Sequence, residues 1–336
     1  MVFEAFRRAR NGDRGVEANT EATPASVARP LIGLALGGGA ARGFAHIGVI
    51  RTLLAHGIQP AVVVGTSIGA VVGGCYAGNQ LDSFERWAQS LTRRGILGYL
   101  DISLGGAGLI GGGRLATRLQ ETLGDTLIEQ LRIRFATIAT EVGTGHEIWL
   151  TRGRLVDALR ASYALPGIFP PIWLGGRWLV DGALVNPVPV STARVLGARL
   201  VIAVNLNSDI LGRGATVTDH GAKPNEPAAA PATTDEPGSA RALGAERALK
   251  RQFFSGSKRP GISTVMVDAF NIMQDRITRA RLAGDPPDVT ISPRMGGLGW
   301  FDFHRAKEAI ELGARATERM LDQIDEAIVA LSPRVD

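Results

Sequence analysis

The sequence predicts an α/β fold of three layers, with a mainly parallel central sheet between helices, and three observations carry that expectation. Short β-type runs alternate with helical patterns after Pro30. The first two runs, residues 31–36 and 61–64, are apolar almost throughout, as strands buried on both faces must be. Each is followed by a glycine-bearing turn that opens a helical pattern.

The elements follow in order. Residues 31–36 read as a strand, 37–43 as a glycine loop, and 44–56 as a helix with Val49, Ile50, Leu53 and Leu54 on its apolar face. Residues 61–64 form the second strand, 65–69 a turn, and a helix runs on to about Tyr76. Later strands are expected at 134–141, 145–150, 172–174, 177–180, 200–206 and 288–292. From Phe301 one long helical pattern, carried by Ala309, Ile310, Leu312, Met320, Leu321, Ile324 and Ile328, closes the domain.

Other stretches lack a core pattern. Residues 95–113 hold eight glycines among nineteen positions, mixed with Leu97, Tyr99, Leu100, Leu104, Leu109 and Ile110, the composition of a mobile apolar flap or of a surface loop. Residues 209–239 hold four Pro, six Ala and four Gly among thirty-one positions and bury too little to order themselves. The organisation expected is a flexible tail over 1–29, one domain over 30–330 interrupted by a disordered insertion at 208–262, and a tail over 331–336.

The 43 glycines among 336 residues follow no G-X-Y period, which excludes collagen. The net charge of +5 is matched by one stretch, 241–259, where Arg241, Arg247, Lys250, Arg251, Lys258 and Arg259 stand against Glu246. The remainder is close to neutral; the stretch, with Phe253 and Phe254 inside it, has the composition to touch anionic lipid or RNA, and no nucleic-acid partner is expected. The stretch itself reads either as a solvated face or as a peripheral contact with an anionic membrane, and Met1, Val2, Phe3 and Phe6 among Arg7, Arg8 and Arg10 offer a second, weaker candidate for membrane contact. No run reaches the ~18 apolar residues of a membrane span, and no signal-peptide core stands at the start. Cys75 is the sole cysteine, which excludes an internal disulfide and a Cys-based zinc site. A cytoplasmic protein, at most peripheral at the inner face of the membrane, is the expectation. No His/Asp/Glu cluster has ligand spacing, so neither a metal nor another cofactor is expected.

The sharpest chemical signal is Gly65-Thr66-Ser67-Ile68-Gly69 between a strand and a helix, the context of a nucleophile elbow, although glycine and serine also fill plain turns. The sharp turn projects the serine Oγ while the following helix aims its positive N-terminus at it. The second signal is Gly37-Gly38-Gly39-Ala40-Ala41-Arg42-Gly43. A phosphate-cradling loop would need a terminal Lys-Ser/Thr where Arg42-Gly43-Phe44 stands. A dinucleotide fingerprint would need an acid about 20 residues on, and none occurs between Glu21 and Asp82. An oxyanion hole built from consecutive N–H groups, with Arg42 nearby, is the economical reading.

A serine needs a base. His46 and His56 lie in the first helix and His220 in the insertion, while His304 would complete the Ser, acid, His order of an α/β-hydrolase. The alternative is Asp181 in Asp181-Gly182-Ala183, at a strand end, where Asp-Gly is otherwise a common hairpin turn. A carboxylate of pKa about 3.9 is a poor base in water, and burial raises its basicity.

Four blocks in order resemble the patatin-like phospholipase family. They are the glycine loop with Ala45-His46-Ile47-Gly48-Val49, the serine elbow, Ala161-Ser162-Tyr163-Ala164-Leu165-Pro166-Gly167-Ile168-Phe169-Pro170-Pro171, and Asp181-Gly182-Ala183. The resemblance runs from about Ile32 to Asp181 and through the C-terminal helix. It implies a Ser-Asp dyad, with Ser67 attacking an acyl carbonyl, Asp181 taking its proton, and N–H groups of Gly38, Gly39 and Ala40 holding the oxyanion beside Arg42. Gly37, Gly43, Gly65, Gly69 and Gly182 are then motif glycines. It also implies a phospholipid or lysophospholipid substrate and fatty acid as product. Ile168, Phe169, Ile172, Trp173 and Leu174 are expected at an apolar groove or in the core. One departure is Ala40, where the family usually shows Gly; a left-handed backbone there would strain alanine and shift the hole. Two rivals stand beside this reading: an esterase using Ser67, an acid and His304, and a non-catalytic adaptor that binds through its basic stretch.

Overall fold

The computed structural model describes residues 30–93, 113–209 and 262–332. The expected N-terminal tail, residues 333–336 of the C-terminal one, nearly all of the apolar flap and of the insertion, and the basic stretch 241–259 lie outside the described residues; Leu331, expected to begin the tail, still belongs to a helix. Among the described residues no helix is long and apolar enough to cross a membrane.

Eight strands form one sheet: β1 (Ile32–Leu36), β2 (Val62–Thr66), β3 (Arg134–Glu141), β4 (Glu147–Leu150), β5 (Ile172–Leu174), β6 (Arg177–Asp181), β7 (Leu200–Val204) and β8 (Val289–Ile291). Their order is β5-β6-β3-β2-β1-β7-β8, with β4 also on β3. From β3 to β8 along this path the neighbours are parallel, while β4, β5 and β6 pair antiparallel.

The helices are α1 (Ala45–Ala55), α2 (Ile68–Ala77), α3 (Leu81–Ser90), α4 (Gly113–Leu123), α5 (Leu155–Ser162), α6 (Val190–Val195), α7 (Ile262–Gly284), α8 (Ala306–Glu318) and α9 (Leu321–Leu331). Strand alternation sorts the core into two layers. Ile32, Leu34 and Leu36 of β1 and Leu200, Ile202 and Val204 of β7 face a large cluster shared with Phe44, Ile47, Ile50 and Leu53 of the α1 region. Ala35, Val62, Val64, Val201 and Ala203 point the other way, toward Val190 and Ala193 of α6. Large side chains thus fill one side and small ones the other, where α6 comes close.

β3 is what brings the site together. It pairs with β2 in parallel up to Thr66↔Ile138, and its next residues pair with β6 in antiparallel, beginning at Ala139↔Asp181. β4 covers Thr137 to Thr140 on the opposite edge, so β2 and β6 share one edge and their C-terminal ends meet there.

Three departures from expectation have local causes. The glycine loop tightens into a 3-10 turn over Ala40–Phe44, and α1 starts only at Ala45. The C-terminal pattern is two helices, broken after Glu318, next to Thr317, whose Oγ1 donates to the Gly313 carbonyl at 2.9 Å and competes with the helical ladder. Helix α7 has no counterpart in the hydrophobic periodicity, because its buried positions include Asn271, Gln274, Asp275 and Thr278.

Candidate active site

Ser67 sits between β2 and α2 with φ 56 and ψ −125, a left-handed conformation for a non-glycine residue and the mark of a strained elbow. A Cβ on Gly65 would collide with the backbone of Ala70, and one on Gly69 with the Leu36 carbonyl. The Ser67 N–H donates to Ser162 Oγ at 2.9 Å, so the end of α5 braces the elbow.

Asp181 ends β6 and is not part of a hairpin turn; a 3-10 turn over Gly182–Leu184 follows. Its N–H donates to the Ala164 carbonyl at 2.9 Å, and its carbonyl accepts from Thr140 Oγ1 at 2.9 Å. Ser67 Oγ donates to Asp181 Oδ2 at 2.6 Å, and the Ala183 N–H donates to Oδ1 at 2.8 Å. Asp181 is 1% exposed. Burial pushes its carboxyl up from 3.8 to about 7, against the lowering effect of the two hydrogen bonds. The mismatch between a carboxylate and a serine hydroxyl is reduced accordingly.

The glycine loop lies beside this pair. The Gly37 N–H donates to the Val204 carbonyl and the Gly38 N–H to the Pro187 carbonyl, both at 3.1 Å. The expected contribution of Gly38 to an oxyanion hole is therefore corrected: its donor is engaged by the scaffold. The N–H groups of Gly39 and Ala40 have no partner among the described residues, and both residues line the cavity at Ser67. Ala40 does adopt a left-handed φ of 49. Gly43 gives room to the Ile68 side chain, and Gly182 to the Ile138 carbonyl.

Arg42 is not at the cavity. Its Nε donates to the Leu298 carbonyl at 2.9 Å and a terminal nitrogen donates to Asn207 Oδ1 at 3.4 Å, with the residue 5% exposed. Its expected place at the oxyanion is corrected to a place behind it. His46, fully buried, has Nε2 2.7 Å from the Gly37 carbonyl; a carbonyl only accepts, so Nε2 carries the proton. Burial pushes this imidazole down to about 4, which keeps it neutral.

His304 is elsewhere: its Nε2 accepts from Arg93 Nε at 3.0 Å. Neither Ser67 Oγ nor Asp181 is paired with a histidine among the described residues. Nor is there a group of three or more His, Cys, Asp or Glu side chains among them suited to hold a metal.

The cavity at Ser67 measures about 100 Å³ and is walled by apolar side chains, among them Val71, Leu165, Ile168, Phe169, Phe301 and Phe303. Ile168 and Phe169 are where the resemblance implies. Ile172, Trp173 and Leu174 form edge strand β5, where Ile172 and Leu174 pack on a small core cluster with Ala139, Ala161 and Leu179, and only Trp173 departs from the expectation: it packs on Trp178 with ring centroids 5.1 Å apart and is 57% exposed. The polar side chain of Gln274, which no sequence motif marks, also lines the cavity.

A family model described as patatin-like phospholipase matches residues 34–194. An uncharacterized NTE family protein of Mycobacterium tuberculosis is 33% identical over 333 residues, covering 88% of this chain and 92% of that protein. A patatin-like phospholipase domain-containing protein of Caenorhabditis elegans is 37% identical over 187 residues, 53% of this chain and 14% of its own length. A lysophospholipase of Emericella nidulans is 33% identical over 182 residues, 53% of this chain and 12% of its own length.

Proposed function

The chain belongs to the patatin-like phospholipase family, and from that premise we propose that it is a serine acyl hydrolase releasing fatty acid from phospholipids or lysophospholipids. The observation that carries the reading is the 2.6 Å hydrogen bond from Ser67 Oγ to a buried Asp181 at the floor of an apolar cavity.

The chemistry follows from this geometry. Ser67 Oγ attacks the acyl carbonyl as its proton passes to Asp181 Oδ2, and the carbonyl oxygen takes up the negative charge. In this reading the N–H groups of Gly39 and Ala40, which have no partner among the described residues, receive that charge, and the N-terminus of α2 adds a favourable field. Collapse of the tetrahedral intermediate breaks the ester bond, and Asp181 returns the proton to the departing alcohol. A water then gives its proton to Asp181 and attacks the acyl-enzyme, which releases fatty acid and restores Ser67. The apolar walls suit an acyl chain, and the lysophospholipase name of the Emericella relative favours a lysophospholipid among the substrates.

Fatty-acid release from phosphatidylcholine, phosphatidylglycerol and lysophosphatidylcholine by wild type and Ser67→Ala in parallel tests the reading. Release by wild type alone is expected. Equal release by both would remove Ser67 as the nucleophile, and release by neither would move the chain toward the adaptor reading.

A further inference from the structure

We infer that the Gln274 side-chain amide is a further oxyanion donor, aimed at the reacting carbonyl by a relay that starts at Arg42. The inference rests on the hydrolase reading. Gln274 lies on α7 and is 1% exposed, yet it lines the cavity shared by Ser67, Gly39, Ala40 and Asp181.

Donor and acceptor chemistry fixes which way its amide points. A guanidinium has only donors, so Asn207 must turn its Oδ1 toward Arg42, from which it accepts at 3.4 Å. The Asn207 Nδ2 then faces Gln274 and donates to Oε1 at 3.0 Å. Gln274 is left with Nε2 on the cavity side, where its N–H groups have no partner among the described residues. A methyl group placed on Gly38 would lie 3.7 Å from this Nε2 and 3.6 Å from Ser67 Cβ. The amide therefore borders the space next to the nucleophile.

Two features make this a built donor. The Arg42 charge polarises both amides in the same sense, which strengthens the terminal N–H. And the Gly38 N–H, which the motif would offer, is already engaged by Pro187, so the third donor comes from another element.

The test uses the full chain, with Ser67→Ala as the blank. Gln274→Met keeps the length and removes the donor; Gln274→Glu keeps the shape and places a carboxylate oxygen at the cavity. Asn207→Asp touches no substrate, but it offers acceptors to both Arg42 and Gln274 and so turns the Gln274 amide over. With a soluble p-nitrophenyl acyl ester, kcat is expected to fall about 100-fold in Gln274→Met, further in Gln274→Glu and at least about tenfold in Asn207→Asp, with KM little changed. The Gln274→Glu loss is expected to deepen as pH rises. A kcat within about threefold of wild type in any folded variant of the three, or a loss confined to KM, overturns the inference. Activity that survives Ser67→Ala, or a wild type without activity, overturns the hydrolase reading itself and the inference with it.

Discussion

Two strand-to-helix turns stand side by side at the head of this sheet, and they use glycine for different ends. In the elbow between β2 and α2, both glycines are forced by contact: a side chain on Gly65 would enter the backbone of Ala70, and one on Gly69 the Leu36 carbonyl. In the loop after β1, Gly37 is forced in the same way, with the Val204 carbonyl 2.8 Å from where its Cβ would be, but Gly38 is not: the nearest atom would be Ala183 Cβ at 3.4 Å. The elbow is a steric lock that holds one side chain in a strained pose. The loop keeps a space open, and the space lies between Ser67 and Gln274. A lock fails by unfolding when filled, whereas a reserved space fails by losing function in an intact protein.

Substitutions separate these roles. The largest effect is expected from Gly69→Ala, where backbone must shift: a loss of several kcal/mol, on the scale of severe overpacking, read from urea or thermal unfolding. Asp181→Asn comes next and acts in two directions. Removing the proposed base is expected to lower kcat by about 10³, within the range of general-base catalysis. Stability moves the other way: the folded carboxyl titrates near 7 against 3.8 ordinarily, so its contribution is fully favourable below about pH 3.8 and is lost as pH rises through 7. The amide variant should therefore melt higher than wild type at pH 8 and equally at pH 4, with an upper bound of about 4 kcal/mol from three pKa units.

Gly38→Ala sharpens the comparison most. The added methyl meets nothing closer than 3.4 Å, so unfolding should change by less than about 1 kcal/mol, while kcat falls about 10- to 100-fold because the reserved space is filled. A variant that unfolds instead would make the loop a second lock. The smallest effect belongs to Ala40→Gly: relief of a φ of 49 is offset by the extra freedom of glycine in the unfolded chain, and a change within about 1 kcal/mol is expected.

The elbow was legible because its logic is local, with a strand, a serine flanked by glycines and a helix inside a few residues. Its pairing with Asp181 is not a local fact. It depends on the register of two strands along one edge of β3, and only the resemblance linked residues so far apart. The strand pattern was readable for the same reason as the elbow, since buried parallel strands are continuous apolar runs. Helix α7 was hidden because its inner face is polar, and with it Gln274. Arg42 was visible in the motif, but its direction was not: the carbonyl of Leu298 and the amide of Asn207, distant in sequence, draw it behind the loop. The apolar run after Pro171 reads as groove or core, and β5 keeps Ile172 and Leu174 on a core cluster while it turns Trp173 outward.

Deprotonation of Ser67 by Asp181 is read from the rate at which a fluorophosphonate labels Ser67 between about pH 5 and 9, in wild type and in Asp181→Asn. The rate should climb about tenfold per pH unit below the Asp181 value of about 7, level off above it, and collapse in the amide variant. Labelling that is flat across this range, or that persists in Asp181→Asn, would contradict the dyad.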